Sequence, residues 1–206
     1  MIPLRHGHER NVAMKVRESG MPEEPLWASF FDPDTILPRL GLTSACRDAV
    51  EVGCGYGTFT IPAARIIAGT LHAFDIEPDM IDSTHLKAQA AGLGNVRLYL
   101  RDVIADGFGL PDASTDYVML FNILHAERLE LLLAETYRVL RAGGKLGIIH
   151  WNYDPSTPRG PSMEIRPRPQ QCRQWAEQAG FRLLPPGMLD LPPYHYGMVL
   201  GRPERD

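Results

Sequence analysis

The chain has 206 residues, 44% of them hydrophobic, with a formal charge of −4 and three cysteines. That length can bury one substantial core and predicts a single domain, and the mild acidity offers no attraction to phosphate backbones, which argues against a nucleic-acid partner. No run approaches the roughly 18 apolar residues of a membrane span, Met1-Ile2-Pro3-Leu4-Arg5-His6 has no apolar signal-peptide core, and Cys46, Cys54 and Cys172 lack paired spacing. A cytoplasmic protein with free thiols, no metal and a small-molecule substrate is expected.

Residues 1–25 read as a partly flexible N-terminal extension, frayed over its first dozen residues. Its His6 and His8 lack the cysteine or acid partners of a metal site. Residues 26–206 read as one domain. Leu26-Trp27-Ala28-Ser29-Phe30-Phe31 and Thr35-Ile36-Leu37-Pro38-Arg39-Leu40 predict helices that pack on a sheet or cover a ligand. Asp48-Ala49-Val50 enters the most informative stretch, Glu51-Val52-Gly53-Cys54-Gly55-Tyr56-Gly57, which leaves through Thr58-Phe59-Thr60-Ile61. This is a strand, a glycine turn and a helix. Glycines at alternate positions tolerate positive φ and leave no Cβ between the main chain and a flat ligand.

The strand-helix unit then repeats. Thr70 to Asp75 predicts a second strand ending in an acid, and Pro78 suits the first turn of a helix running to about Ala91. After the break at Gly92-Leu93-Gly94-Asn95, Val96-Arg97-Leu98-Tyr99-Leu100 alternates as a third strand before Arg101-Asp102. Asp116 to Phe121 predicts a buried fourth strand. Residues 127–140 carry apolar side chains at helical spacing, Arg141-Ala142-Gly143-Gly144 stops that helix, and Lys145 to His150 forms a fifth strand. Five prolines between positions 154 and 169 preclude a regular element there and predict a long substrate loop over 151–169. Cys172 to Ala179 reads as a helix stopped by Gly180, and Phe181 to Leu184 with Tyr196 to Leu200 reads as a closing strand pair. The alternation predicts an α/β fold with a doubly wound, mostly parallel sheet and helices on both faces. Glu51, Asp75, Asp102 and Asn122 all fall at strand C-terminal ends, where such sheets bind ligands.

Two ligand classes use a turn of this kind. The dinucleotide fingerprint G-x-G-x-x-G requires glycine where this chain has Thr58 or Thr60, and Glu51 is ill placed beside a diphosphate. A cationic ligand suits it better. The pattern E-x-G-x-G-x-G resembles the first motif of the class I S-adenosylmethionine-dependent methyltransferases. Asp75, Asp102-Val103, Asp116-Tyr117-Val118 and Leu140-Arg141-Ala142-Gly143-Gly144-Lys145-Leu146 extend the resemblance over about residues 26–200. It implies a seven-stranded sheet of order 3-2-1-4-5-7-6 with the last strand antiparallel. It also implies S-adenosylmethionine as cofactor, S-adenosylhomocysteine as product, and in-line methyl transfer to a small or medium-sized acceptor. A nicotinamide-dependent oxidoreductase and a non-catalytic S-adenosylmethionine-binding regulator are the alternatives.

On that resemblance Asp75 accepts from the ribose hydroxyls, Asp102 and the Val103 amide meet the adenine, and Ile76 and Met80 pack on it. Glu51, ionised, orients the turn or the ligand's ammonium, with Gly53, Cys54, Gly55 and Tyr56 under the ligand. Phe121 and Asn122 face the methyl donor. The N-P-P-Y signature of exocyclic-amine methyltransferases is missing after Asn122, and Pro192-Pro193-Tyr194 reads as an ordinary turn. His125 is the candidate general base, expected near neutral pKa at a helix start, with His150 as its substitute. His150, Trp151, Tyr153, Arg166 and Arg168 are candidate substrate contacts, the arginines because their forked donors suit an anionic acceptor.

Overall fold

The computed structural model describes residues 21–204. The reading of residues 1–20, including His6 and His8, lies outside them. Two short helices, α1 (Glu24–Ala28) and α2 (Pro33–Arg39), precede β1 (Ala49–Val52), α3 (Thr60–Ile66), β2 (Leu71–Asp75), α4 (Pro78–Ala90), β3 (Val96–Leu100) and α5 (Val103–Asp106). Then follow β4 (Thr115–Phe121), α6 (Leu129–Val139), β5 (Leu140–Trp151), α7 (Pro169–Gln178), β6 (Arg182–Leu191) and β7 (His195–Gly201). The seven strands form one sheet of order β3-β2-β1-β4-β5-β7-β6. β7 runs antiparallel to both its neighbours, and the pairs from β3 to β5 are parallel.

Burial explains the order. All four residues of β1 are buried, as expected of a central strand covered on both faces, whereas β3 at the edge has no buried residue. One face carries Val50, Val118, Leu120, Ile148 and Met198 against α5, α6 and α7. Ala49, Tyr117, Met119 and Ile149 point the other way, against α2 and α3. Leu132, Leu133, Thr136 and Val139 of α6 are buried at helical spacing. Tyr117 Oη donates to Leu40 O at 2.7 Å and ties the end of α2 to the sheet. Space for that phenol comes from Gly147 on β5, where an added Cβ would stand 2.0 Å from the hydroxyl.

Among the boundaries that differ from the sequence reading, three bear on the sheet edge and the site. α6 starts at Leu129 because Arg128 takes a left-handed conformation, φ 57°, leaving His125 in a turn. β5 starts at Leu140, and Arg141 to Gly144 bulge out of the ladder, since Thr115 pairs with Leu140 but Tyr117 with Lys145. β6 continues past Leu184 to Leu191 through a second irregularity between Leu183 and Met188, where Pro185 and Pro186 have no N–H to donate. Pro192, Pro193 and Tyr194 make the turn into β7. No helix among the described residues is long and apolar enough to cross a membrane.

Candidate active site

The glycine turn leaves β1 at the C-terminal edge of the sheet and is gripped from two sides. Gly53, Gly55 and Gly57 have φ of 74°, 53° and 78°, in the region L side chains rarely adopt. The amides of Gly53 and Cys54 both donate to Phe74 O, at 2.8 and 3.0 Å. Gly55 N donates to Asp75 Oδ2 at 2.9 Å. From α4, Thr84 Oγ1 donates to Gly55 O at 2.8 Å and Lys87 Nζ to Tyr56 O at 2.6 Å. The turn is therefore held in shape by the protein itself, with its Cβ-free face turned outward to a cleft.

Glu51 lines that cleft with Gly53, Phe59, Phe121, Asn122 and Trp27. It is 3% exposed and accepts from Thr60 Oγ1 at 2.6 Å. Burial pushes its carboxyl up to about 8, with the Asp75 charge adding to the rise and the Thr60 hydroxyl opposing it. The expectation of an ionised Glu51 is thus corrected: with no cation beside it, the group holds its proton at neutral pH. Asp75 has three backbone donors, since Oδ1 also accepts from Ile76 and Glu77 at 2.8 and 3.0 Å. Desolvation raises its pKa, opposed by these amides. Its neighbour Ile76 is 39% exposed, and Met80 sits half-buried in the first turn of α4. Asp102 caps α5, its Oδ1 accepting from Ile104 and Ala105, and Val103 opens that helix. Across the cleft, Asn122 has φ 56°, and its buried amide atoms Nδ2 and Oδ1 have no partner among the described residues. An unpaired buried amide of this kind is costly unless a ligand completes it.

The expected substrate residues divide. His125 Nδ1 lies 3.3 Å from His150 Nε2. Burial, reinforced by the Arg166 charge, lowers His125 to about 4, so the expectation of a near-neutral pKa is corrected; burial also holds His150 well below the usual range. Trp151 is buried, its ring packed against Phe30, Tyr194 and His195 at centroid distances of 5.4, 6.4 and 4.2 Å. It serves as a floor for α1. Arg166, expected to read an acceptor anion, turns inward: its guanidinium donates to the carbonyls of Asn152, Asp154, Arg159 and Pro161 and to Thr157 Oγ1. A loop with five prolines has few internal amide donors, and this buried cation supplies the missing ones. Arg168 is exposed, with its guanidinium 3.7 Å from the centroid of the Tyr153 ring.

Some site residues escaped sequence reasoning. His195 is 1% exposed with neither ring nitrogen paired among the described residues. Only the β5–β7 register, which sets it opposite Trp151, brings it here. Phe59 and Trp27 line the cleft, and Phe59 was within reach, since it directly follows the glycine turn.

Fold and turn define an α/β protein of doubly wound type with a glycine turn at the C-terminal edge of its sheet, where such folds bind ligands. Residues 49–144 match the methyltransferase domain family. The chain is 28% identical over 148 residues to aklanonic acid methyltransferase of Streptomyces sp. strain C5, covering 68% of this chain and 64% of that protein. It is 33% identical over 105 residues to a ubiquinone/menaquinone biosynthesis C-methyltransferase of Bradyrhizobium sp., covering 47% of this chain and 39% of that one. The chain thus spans between two fifths and two thirds of the length of these relatives. A solved S-adenosylmethionine-dependent methyltransferase from Aquifex aeolicus superposes with a TM-score of 0.77 at 23% identity, over 87% of this chain and 94% of that one. These likenesses support a class I S-adenosylmethionine-dependent methyltransferase, with the family match confined to residues 49–144. The residues present fit that cofactor: the turn has no Cβ in its way, the Asn122 amide is unmatched, and the Glu51 carboxyl gains from a cation.

Proposed function

We propose that this chain transfers a methyl group from S-adenosylmethionine to a small acceptor by in-line displacement. The observation that carries the reading is the Gly55–Asp75 contact, which holds the glycine turn open at the sheet edge opposite the unpaired Asn122 amide. When bound, the cofactor supplies an electrophilic methyl group on a sulfonium. Asp75 has room for about one further hydrogen bond, because an ionised carboxylate offers about four acceptor positions and three amides use it here. It holds the ribose. Asp102 and Val103 hold the adenine, Ile76 and Met80 cover it, and Glu51 faces the cationic end. Phe121, Asn122 and Phe59 exclude water and align the acceptor, which is the main contribution this chemistry needs.

The acceptor is a small or medium-sized molecule. An anionic group on it would have Arg168 as its partner, because Arg166 is consumed by its own loop. Where the nucleophile is a hydroxyl, His125 is the group that takes the proton: it is neutral at pH 7 with His150 beside its ring, and a weak base because burial lowers it to about 4. Calorimetric titration with S-adenosylhomocysteine and with NAD tests the reading. Binding of the first and not the second is expected; tight NAD binding without any response to S-adenosylhomocysteine overturns it.

A further inference from the structure

The cleft over the glycine turn is filled by the chain's own N-terminal segment. Met21 lies against Gly55 so closely that a Cβ built on that glycine would stand 3.0 Å from Met21 Cε and 3.1 Å from its Sδ. Trp27 closes the same cleft from α1, and the cavity that remains is about 30 Å³. That holds about one water, whereas clefts for small-molecule ligands run from roughly 300 to 1,000 Å³. A nucleoside-sized ligand cannot enter while this segment is in place.

The segment is attached by few contacts. No residue of α1 is buried. Tyr56 Oη donates to Pro22 O at 3.2 Å, and Lys87 Nζ bridges Glu24 and Tyr56 O, joining the segment to the glycine turn and α4. Trp27 rests on Phe31 and Trp151 at centroid distances of 5.0 and 6.5 Å. These contacts are part-buried, with Pro22 buried beneath them, but they are confined to three polar contacts and ring packing among the described residues, a small set to break in a local opening. The group laid on the turn is also chemically apt. Met21 presents an apolar thioether, uncharged beside a protonated Glu51, where the methyl donor would present its own methionine-derived sulfur.

We propose that residues 21–28 are an intrachain competitor for the methyl donor's site, with Met21 seated on the glycine turn until the segment swings away. This inference rests on the methyltransferase reading above. Because binding then requires an open form populated only in part, the apparent affinity of the intact protein is reduced by the closed fraction. Weakening the plug removes that reduction.

The test is calorimetric and stopped-flow binding of S-adenosylhomocysteine to the full chain and to Met21→Ala and Glu24→Gln, with amide hydrogen exchange over residues 23–30. Met21→Ala is expected to bind about threefold tighter or better and to associate faster, Glu24→Gln to shift the same way by less, and the segment's amides to exchange faster with ligand bound. Equal or weaker binding by Met21→Ala overturns the proposal, as does ligand-induced protection of these amides, since a lid that closes over its ligand would give both. Failure of all three proteins to bind overturns the methyltransferase reading itself, and the plug with it.

Discussion

Gly55 N and Asp75 Oδ2 lie 2.9 Å apart, and through this bond the acid at the end of β2 fixes the turn at the end of β1. One side chain thus shapes the site and faces the ligand. Asp75→Asn would keep an oxygen for Ile76 and Glu77 but set an NH2 against the Gly55 amide. We expect it to lower the melting temperature and to weaken S-adenosylhomocysteine binding by about 1.5–3 kcal/mol, the range for a hydrogen bond to a charged group. Thermal denaturation and calorimetry read the two effects separately, and unchanged affinity would remove Asp75 from the ligand's contacts.

Glu51 links cofactor binding to a proton. Its carboxyl ionises at about 8 when no cation is beside it, and a cationic ligand favours the ionised form, so binding releases a proton and tightens as pH rises towards 8. Affinity measured between pH 6 and 8.5 should rise and then level, and heats in buffers of different ionisation enthalpy should report the released proton. Glu51→Gln should abolish both trends.

The buried histidines set the acid limb of stability. His125 and His195 are lowered to about 4 and about 3, and His150 lies well below its usual value, all chiefly by burial. Depressed histidines are neutral in the fold, so their contribution is present above the unfolded value of about 6.5 and is lost as pH falls through the folded values. Glu51 acts oppositely, since a raised carboxyl favours the fold below about 4.5 and disfavours it as pH climbs to about 8. Three histidines outweigh one acid below pH 6.5, which places the stability maximum of the ligand-free protein near that value. Denaturant titrations across pH 4–9 check it, and a maximum above pH 8 would contradict the assignment.

Arg166 and Arg168 should behave differently on substitution. Arg166→Ala strips the loop of its donor to four carbonyls and a hydroxyl, at a cost of about 2–3 kcal/mol. It should make residues 152–168 a preferred cleavage site in limited proteolysis. Arg168→Ala removes a guanidinium stacked on Tyr153 and should change stability by about 0.5 kcal/mol or less. A rise in acceptor KM without loss of stability is expected of Arg168 alone.

His125→Asn and His150→Gln separate base from scaffold. If the acceptor is a hydroxyl, His125→Asn should lower kcat by about 10², the low end for a general base, because burial leaves this imidazole weakly basic. His150→Gln, which keeps a hydrogen-bonding side chain beside His125 Nδ1, should lower it less and shift the acid limb of the rate profile. Full activity in His125→Asn would assign the step to alignment alone.

The sequence by itself determined the alternation of strands and helices, the glycine turn and the acids that follow β2 and β3. These depend on local periodicity, on the φ that only glycine adopts freely, and on residues a few positions apart. The resemblance carried by those motifs also supplied the strand order and the antiparallel β7. The tertiary structure alone decided the protonation of Glu51 and the histidines, because desolvation depends on what packs around a group. It also turned Arg166 from a presumed ligand contact into the staple of its own loop, since the carbonyls it serves converge only when the loop is folded. His195 opposite Trp151 follows from the β5–β7 register, and Met21 on Gly55 joins positions 34 residues apart in sequence. Pairings at that distance are fixed by how the chain packs, and no local pattern encodes them.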